Sequence, residues 1–264
     1  MGNVQSFSLY DTHQTLWTSQ FSGSIGDRFG PLALFASATR TEANSQPISF
    51  TTINGTANPS GVTGGFADLN KLGQAIRVLG AGGIEHHVQE TYKLKAALDL
   101  GENVQARYVL GIWHDDTQGT VDSYLRDASG AVSYRTASSG VTTGFNSAVY
   151  TRNALHFSHA LTLAGSGRRI DWQVVGTLYR YAHDWQNNPS PDTATATAAA
   201  TGFVGTRNDL PGAFGGGVGT IQKQDGTGWV TLDAKVSLRL GKAGEHVLSF
   251  GAHADRETLN AQTF

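Results

Sequence analysis

The sequence predicts an all-β fold, part of an antiparallel transmembrane β-barrel with about eight meandering strands. Three observations lead to this fold class: alternating apolar and polar positions, a high glycine content, and connections that are alternately short and long. Strict alternation is typical of strands with one apolar and one polar face. Glycine contributes 33 of 264 residues, nearly twice its usual share of about 7%, which disfavours a mostly helical domain.

The clearest alternation lies in residues 92–100, 104–112 and 230–240. In the last of these segments, apolar side chains recur at every second position from Val230 to Leu240. Weaker alternation predicts further strands at residues 15–25, 32–39, 155–163, 170–178 and 248–255. Most of these strands are about ten to thirteen residues long, against a usual five to six. The strands therefore extend from about residue 14 onward.

The connections between these strands have two lengths that alternate along the chain. Short turns follow Ile25, Leu100, Ala164 and Leu240. Long segments, which we expect to be mobile loops, separate the hairpins at Glu42–Glu85, Thr117–Tyr150 and Trp185–Thr227. Transmembrane β-barrels combine long alternating strands with short periplasmic turns and long extracellular loops. Because the polar faces of such strands line a wet lumen, a mean hydropathy of -0.24 is compatible with a barrel.

Composition excludes several classes of protein and site. Lys and Arg number 19 against 21 Asp and Glu, so the chain lacks the basic footprint of a nucleic-acid-binding protein. The absence of cysteine excludes disulfides, thiolate metal sites and a cysteine nucleophile. No run of about 18 apolar residues predicts a membrane-spanning helix. Because no G-x-S-x-G elbow or phosphate-binding loop is present, we expect no catalytic residues, no enzyme activity and no cofactor.

The direction of the strands predicts a stretch of a larger barrel. Since the first connection is the short turn after Ile25, the first strand descends from the cell surface and the last, His246–Arg256, returns to it. Both ends then lie outside, whereas the termini of a finished barrel normally lie in the periplasm. The residues before the terminal Phe264 lack the apolar alternation of a closing strand. Because open sheet edges do not persist in lipid, we expect partner strands at both edges.

Two hairpins carry a family resemblance. Residues 21–40, FSGSIGDRFGPLALFASATR, resemble a strand-turn-strand of TonB-dependent receptors, in which a G-x-x-G-D-x-F-G-like turn joins two early barrel strands. Residues 92–116, YKLKAALDLGENVQARYVLGIWHDD, are similar to the family's next hairpin, with its L-D-x-G-x-N turn. Such receptors have about 22 strands around a plugged lumen. The resemblance implies that residues 1–264 form a partial receptor β-barrel domain, about a third of the whole barrel.

The resemblance also implies a function and a location. Receptors of this family take up ferric siderophores, cobalamin or similar nutrients across the bacterial outer membrane, and this chain would form a part of one without activity of its own. Its partners would be outer-membrane lipid and, in the intact receptor, a ferric siderophore or another nutrient chelate. The TonB complex would be reached only through a plug segment, which is not found among these residues. The family's ligand contacts lie in variable loops and the plug, so no ligand residue is carried over.

Histidine and aspartate residues cluster where predicted strands meet long loops. These candidate metal ligands are His86, His87, His114, Asp115, Asp116, His183 and Asp184. If their strand ends gather at one extracellular rim, such side chains can bind a metal ion or a metal chelate. Their spacing matches no defined metal motif, so the alternative is a set of polar residues near loops without a bound metal.

Aromatic residues lie near the same strand ends. They are Trp17, Trp113, Tyr179, Tyr181 and Trp185. In a membrane barrel these rings would form a girdle at the boundary between lipid and water. In a soluble protein the same rings would pack in the core between two sheets.

Two other fold classes remain open. One is a soluble β-sandwich, a lectin-like binding module whose apolar faces pack against each other. The other is a small complete outer-membrane barrel of about eight strands, either an enzyme or an adhesin. Strand length and the one-sided position of the long loops count against the sandwich. Strand direction and the irregular end of the chain count against the complete barrel.

Overall fold

The structure, a computed structural model, describes residues 2–8, 15–136, 139–141, 145, 148–189, 219–241 and 245–264. The protein is all-β, with strands over 75% of the structure. In chain order, the described strands are β1 (Gly2–Ser8), β2 (Thr15–Phe29), β3 (Leu32–Asn44), β4 (Ser49–Asn54), β5 (Thr63–Gly64), β6 (Phe66–Leu69), β7 (Ala75–Asp99), β8 (Val104–Ser123), β9 (Leu125–Arg126), β10 (Arg135–Thr136), β11 (Ser139–Val141), β12 (Tyr150–Ser166), β13 (Ile170–Asn188), β14 (Thr220–Lys223), β15 (Gly228–Leu240), β16 (His246–Thr258) and β17 (Gln262–Thr263).

Nine of the described strands form one antiparallel meander. Their order across the sheet is β1-β2-β3-β7-β8-β12-β13-β15-β16, and each strand pairs antiparallel with its neighbours. The predicted all-β fold with an antiparallel sheet is thus confirmed. Several strands are longer than the alternation predicts, because β7 and β8 continue for 25 and 20 residues into the long connections.

The connections of the meander define two ends of the sheet. At the turn end, β2, β7, β12 and β15 each lead into the next strand of the meander through a short turn. The turn after β2 consists of Gly30 and Pro31, and Gly30 has a φ of 61°, which glycine adopts without strain. At the opposite end, here called the loop end, residues 45–74, 124–149 and 189–227 connect the hairpins. The predicted alternation of short and long connections therefore matches the chain.

Two of the long connections fold into a compact unit, here called the loop module, which comprises the described residues of 45–84 and 118–149. In this unit β4 and β6 pair with the first part of β7, and β5 pairs with β9. Its core consists of Val62, Leu79, Val121, Leu125, Tyr134, Phe145, Ala148 and Val149. The prediction of mobile loops is wrong for these two segments, because they contain strands and bury their own apolar side chains.

Glycines inside β7 explain why the sequence does not predict the loop module. At Gly80, an added Cβ would overlap the ring of Phe145 and the carbonyl oxygen of Asp122. Gly83 has a φ of 64° and lies where β7 carries a bulge opposite β8. These glycines allow close packing and a bulge within a continuous strand, whereas a glycine-rich stretch in a sequence is typical of a loop.

The third long connection is described only near its two ends. There β14 pairs with β13 and with β17. Residues 190–218, the greater part of the predicted loop Trp185–Thr227, lie outside the described residues.

Among the described strands, the two outer strands of the meander each have one unpaired edge. β1 pairs with the first part of β2, from Ser8 opposite Thr15 to Gly2 opposite Phe21. β16 pairs with β15 but not with β1, so the described strands form an open sheet. The strand that descends from the loop end is β2, which is second in the sheet and not first as predicted. β1 escapes prediction because residues 2–8 have no apolar alternation.

Candidate functional site

Alternation gives the meander two chemically different faces, because residues paired across antiparallel strands lie on the same face. The apolar face carries a row of large apolar side chains on each strand from β2 to β16. Examples, one from each strand across the sheet, are Ile25, Leu34, Leu94, Leu110, Leu161, Leu178, Leu232 and Phe250. The opposite, polar face carries charged residues that include Lys93, Lys95, Arg107, Asp233 and Lys235.

The apolar face is exposed although its side chains are large. Ile25 is 77% exposed, Leu94 50%, Leu232 52% and Phe250 57%. These residues belong to strands across the width of the sheet, whereas soluble monomers rarely expose an apolar patch larger than a few hundred Å². The apolar face is therefore a surface that either lipid or protein covers in the functional state.

The predicted girdle aromatics divide between the two faces. Trp17 and Trp185 lie on the apolar face near the loop end. Trp113, Tyr179 and Tyr181 lie on the polar face, in register with polar-face residues of the neighbouring strands, and therefore do not belong to a girdle on the apolar face. Counting by two from Ile112 already separates Trp113. Tyr179, Tyr181 and Trp185 have the same parity, and Trp185 reaches the apolar face only because β13 carries an extra residue, Ala182, at its bulge. A sixth aromatic, Trp172, lies on the apolar face toward the turn end.

The candidate metal ligands also divide between the faces. On the apolar face lie His86, His114, Asp116 and His183, and on the polar face lie His87, Asp115 and Asp184. Neighbouring residues of one strand point to opposite faces, so consecutive members of these clusters do not approach one ion. In the part of the chain that the structure describes, no group of three or more His, Cys, Asp or Glu side chains is placed to hold a metal ion.

On the apolar face, beyond the apolar rows, histidines pair with carboxylates. His86 Nε2 lies 3.0 Å from a carboxylate oxygen of Glu42, and His183 Nδ1 lies 3.8 Å from one of Asp225. Residues from five strands line a concavity of about 680 Å³ here, including His86, Asp116, Asn153, His183 and Trp185. The loop end of the apolar face is thus polar and aromatic, which suits a boundary between lipid and water.

The polar face carries a partly buried network near the loop end, here called the His156 cluster (Arg152, His156, Tyr179, Tyr181 and Asp184). Arg152 donates two hydrogen bonds to the Asp184 carboxylate, at 3.1 and 2.9 Å. His156 Nε2 lies 3.0 Å from the same carboxylate, and His156 Nδ1 lies 2.9 Å from the Tyr179 hydroxyl. Because Nε2 donates to Asp184, neutral His156 accepts the Tyr179 hydrogen at Nδ1. Asp184 raises the pKa of the Arg152 guanidinium despite its partial burial.

Aromatic rings surround this network on three strands. The Tyr181 ring stacks on His156 with centroids 3.8 Å apart, and the Trp113 ring lies 4.8 Å from His156. Tyr179 stacks on Trp229 at 4.4 Å, and Trp229 remains 40% exposed. The polar face therefore offers ring surface beside a paired guanidinium and carboxylate. No sequence pattern brings these residues together, because their contacts join β8, β12, β13 and β15.

A second network lies at the base of the loop module, here called the His87 clasp (Glu85, His87, Asp115, Thr117 and Tyr150). His87 Nε2 lies 2.7 Å from Glu85 Oε2, and His87 Nδ1 lies 2.7 Å from the Thr117 hydroxyl oxygen. Thr117 donates its hydrogen to Asp115 Oδ2 at 2.8 Å, and the Tyr150 hydroxyl donates to Glu85. Asp115 is only 3% exposed, and its Oδ1 has no hydrogen-bond partner among the described residues.

The charges of the His87 clasp shift three pKa values. The Asp115 carboxylate, 3.9 Å from Nδ1, together with Glu85 raises the pKa of His87 against the opposing effect of burial. Burial alone would raise the pKa of Asp115, but the interactions with His87 and Thr117 lower it below its ordinary value. Burial and the neighbouring Glu85 raise the pKa of the Tyr150 hydroxyl. The clasp thus favours a charged imidazole between two carboxylates.

No protein-family model, curated protein or solved structure matches the chain. The described residues include no helix of the length and apolarity that crossing a membrane requires. The chemistry of the two faces is therefore the basis on which a function is assigned.

Proposed function

We propose that the sheet is part of the wall of a transmembrane β-barrel in the bacterial outer membrane. We further propose that it belongs to a TonB-dependent receptor that takes up a ferric siderophore or a similar nutrient, and that its role is transport without catalysis. One observation carries the membrane assignment, namely the exposed apolar face that extends across eight strands of the meander. The resemblance of residues 21–40 and 92–116 to receptor hairpins supports the family.

Lipid is a better cover for the apolar face than a second sheet of the same chain. In a β-sandwich, a second sheet of similar size covers the apolar face of the first. Outside the main sheet, the described residues form only two sheets of two strands each, β10-β11 and β5-β9. These are far too small to cover the eight apolar rows, so the sandwich alternative has less support than the membrane wall.

The polar face is suited to a wet lumen. Its charged side chains include Lys93, Lys95 and Arg107, which would meet water and solutes inside a barrel. Basic residues on a lumen wall attract an anionic nutrient chelate. The His156 cluster and the loop module both lie toward the loop end, where a nutrient would enter from outside.

The unpaired edges of β1 and β16 favour a larger barrel over a complete small one. Within lipid, every backbone N–H and C=O group needs a partner, and barrels provide this by closure. β1 and β16 run in the same direction across the meander, so they are not antiparallel partners for each other. Additional strands at both edges would satisfy these groups.

Quenching of tryptophan fluorescence by brominated lipid tests the membrane wall. Trp172 lies on the apolar face of β13, and Trp229 lies on the polar face of the adjacent strand β15. After refolding into vesicles of brominated phosphatidylcholine, we expect part of the emission to be quenched. The Trp172→Phe variant should lose a share of that quenching, whereas Trp229→Phe should keep it, because only the first ring faces lipid.

Two results would contradict the membrane wall. One is a protein that stays soluble without detergent and shows no quenching in any variant. The other is equal loss of quenching in Trp172→Phe and Trp229→Phe, which would mean that alternation does not separate a lipid face from a lumen face. Migration on a gel adds an independent readout, because folded membrane barrels often migrate differently before and after boiling.

A further inference from the structure

The His87 clasp occupies the place where the loop module joins the sheet. The chain crosses between the module and the rest of the sheet on β7, on β8 and at the start of β12. The sheet residues next to these three crossings are Glu85, Thr117 and Tyr150. Thr117 is five residues beyond Ile112, the last apolar residue of its row on β8, a separation of about 16 Å. The clasp therefore lies outside the apolar rows and does not depend on the membrane assignment.

Hydrogen counting within the clasp assigns the charge of His87. Thr117 gives its single hydroxyl hydrogen to Asp115, so its oxygen accepts a hydrogen from His87 Nδ1. Glu85 accepts a hydrogen from the Tyr150 hydroxyl, and an ionised Glu85 has none to give to His87 Nε2. Both ring nitrogens of His87 are therefore donors, which requires the imidazolium form.

Most of the charged and titratable groups that face His87 stabilise its positive charge. The exception, Arg152, has a carboxylate partner of its own. The groups that face His87 are Glu85 of β7, Asp115 of β8, and Tyr150 and Arg152 of β12, while its partner on β3 is Ala43. Arg152 is the one cation among them, and its guanidinium is paired with Asp184 of β13. Loss of the proton from His87 would remove the donor to one carboxylate and leave Glu85 and Asp115 facing each other across a neutral ring.

We propose that protonated His87 holds together the ends of β7, β8 and β12 from which the loop module extends, and that the module opens more readily once His87 loses its proton. Linkage sets the sign of the pH dependence. In the opened module, His87 has the ordinary pKa of about 6.5, whereas the clasp raises the pKa in the closed form. The stabilisation is complete below about pH 6.5 and is lost as pH rises through the higher pKa of the closed form.

Hydrogen exchange measures this opening directly. Protection factors of the buried Leu79 and Val121 amides report on the core of the loop module and already correct for the intrinsic pH dependence of exchange. Above about pH 6.5, closure retains one more proton than opening, so protection should fall up to about tenfold per pH unit until the closed form titrates. Above that range it should level off.

The matched variants are His87→Gln and His86→Gln. The first removes the titrating group on the polar face, and we expect lower protection that no longer changes with pH over this range. The second removes the neighbouring imidazole on the opposite face, so it should keep the wild-type profile. A His87→Gln profile with the wild-type slope would overturn the proposal.

An NMR titration of the wild-type imidazole keeps the proposal testable if His87→Gln fails to form the module. Labelled His87 should titrate above the pKa of about 6.5 that is typical of free histidine. Titration at or below that value would overturn the proposal, whatever the variants do. Because both measurements can be made in detergent, failure of this proposal is distinguishable from failure of the membrane and receptor assignments.

Discussion

Asp184 supplies the central carboxylate of the His156 cluster on the polar face. It is 4% exposed, and its carboxylate accepts hydrogen bonds from Arg152 and His156, both on the neighbouring strand β12. A buried carboxylate is costly unless such partners compensate for the loss of water. Asp184 therefore fixes the register of β12 against β13 next to the bulge between Leu155 and His156.

Replacing Asp184 by Asn should weaken this contact strongly. The amide keeps the shape but removes the charge that two donors share, so we expect the free energy of unfolding to fall by about 2 kcal/mol. The matched control is Asp116→Asn on β8, where the side chain is 56% exposed and the expected loss is below about 1 kcal/mol. Urea titrations in detergent measure both. Equal losses would show that burial of Asp184 contributes nothing.

At the scale of strands, the first part of β7, residues 75–84, is the central strand of the loop module, which the sequence predicted as two loops. Leu79 on this strand is fully buried, and the loop module closes around it with Phe145 and Tyr134, whose rings meet edge to face at 5.5 Å. Arg77 on the same strand donates hydrogen bonds to the carbonyl oxygens of Gly64 and Thr56. β7 thus stabilises the module both through a buried apolar side chain and through the hydrogen bonds of Arg77.

Leu79→Ala should open the loop module. Removal of a fully buried leucine side chain leaves a cavity and typically costs about 2–5 kcal/mol. Leu72 lies in the same module but is 73% exposed, so Leu72→Ala should change stability by less than about 0.5 kcal/mol. The rate of thermolysin cleavage within residues 45–84 measures the opening. A rate that is the same in both variants would mean that Leu79 does not support a core.

Sequence predicted the meander much better than the module. Alternation along β8 or β15 is local and repeats over many residues, so each strand and its apolar row could be predicted. The module depends on contacts between residues far apart in sequence, such as the pairing of β5 with β9, which leave no periodic signal. Its glycines, including Gly80, indicate a loop unless the packed ring of Phe145 is known.

At the scale of the whole molecule, the described strands form a sheet with two faces of opposite character and two unpaired edges. The apolar face needs a cover, and the edges need partner strands. Both needs are met at once if the sheet is part of a barrel wall in lipid. The proposed position in a barrel wall therefore accounts for the exposed leucines and is the position that the proposed transport function requires.

Uptake by cells that carry the gene tests that function. Deleting the gene should lower uptake of a labelled ferric siderophore or of cobalamin, and the intact gene should restore it. A copy with Leu94→Arg, on the apolar face of β7, should restore less, because arginine at the centre of a lipid face costs about 2–4 kcal/mol. Thr91→Arg, on the polar face of the same strand, is the matched control and should restore uptake fully.

The receptor assignment would fail if deletion left uptake of every tested chelate unchanged. The lipid face would fail if Leu94→Arg reached wild-type levels in the outer-membrane fraction. Because the two variants place the same charge on opposite faces of one strand, a loss in both would indicate a general folding defect in β7.

The sequence by itself determined eight strands of the meander, their two faces and the alternation of turns with long connections. Side chains of a strand alternate with a period of two, so this information is local and needs no knowledge of pairing. Only the tertiary structure decided that His156 meets Asp184, that His87 lies between Glu85 and Asp115, and that two long connections share one core. These contacts depend on the register between strands and on packing across distant segments, which no local pattern records.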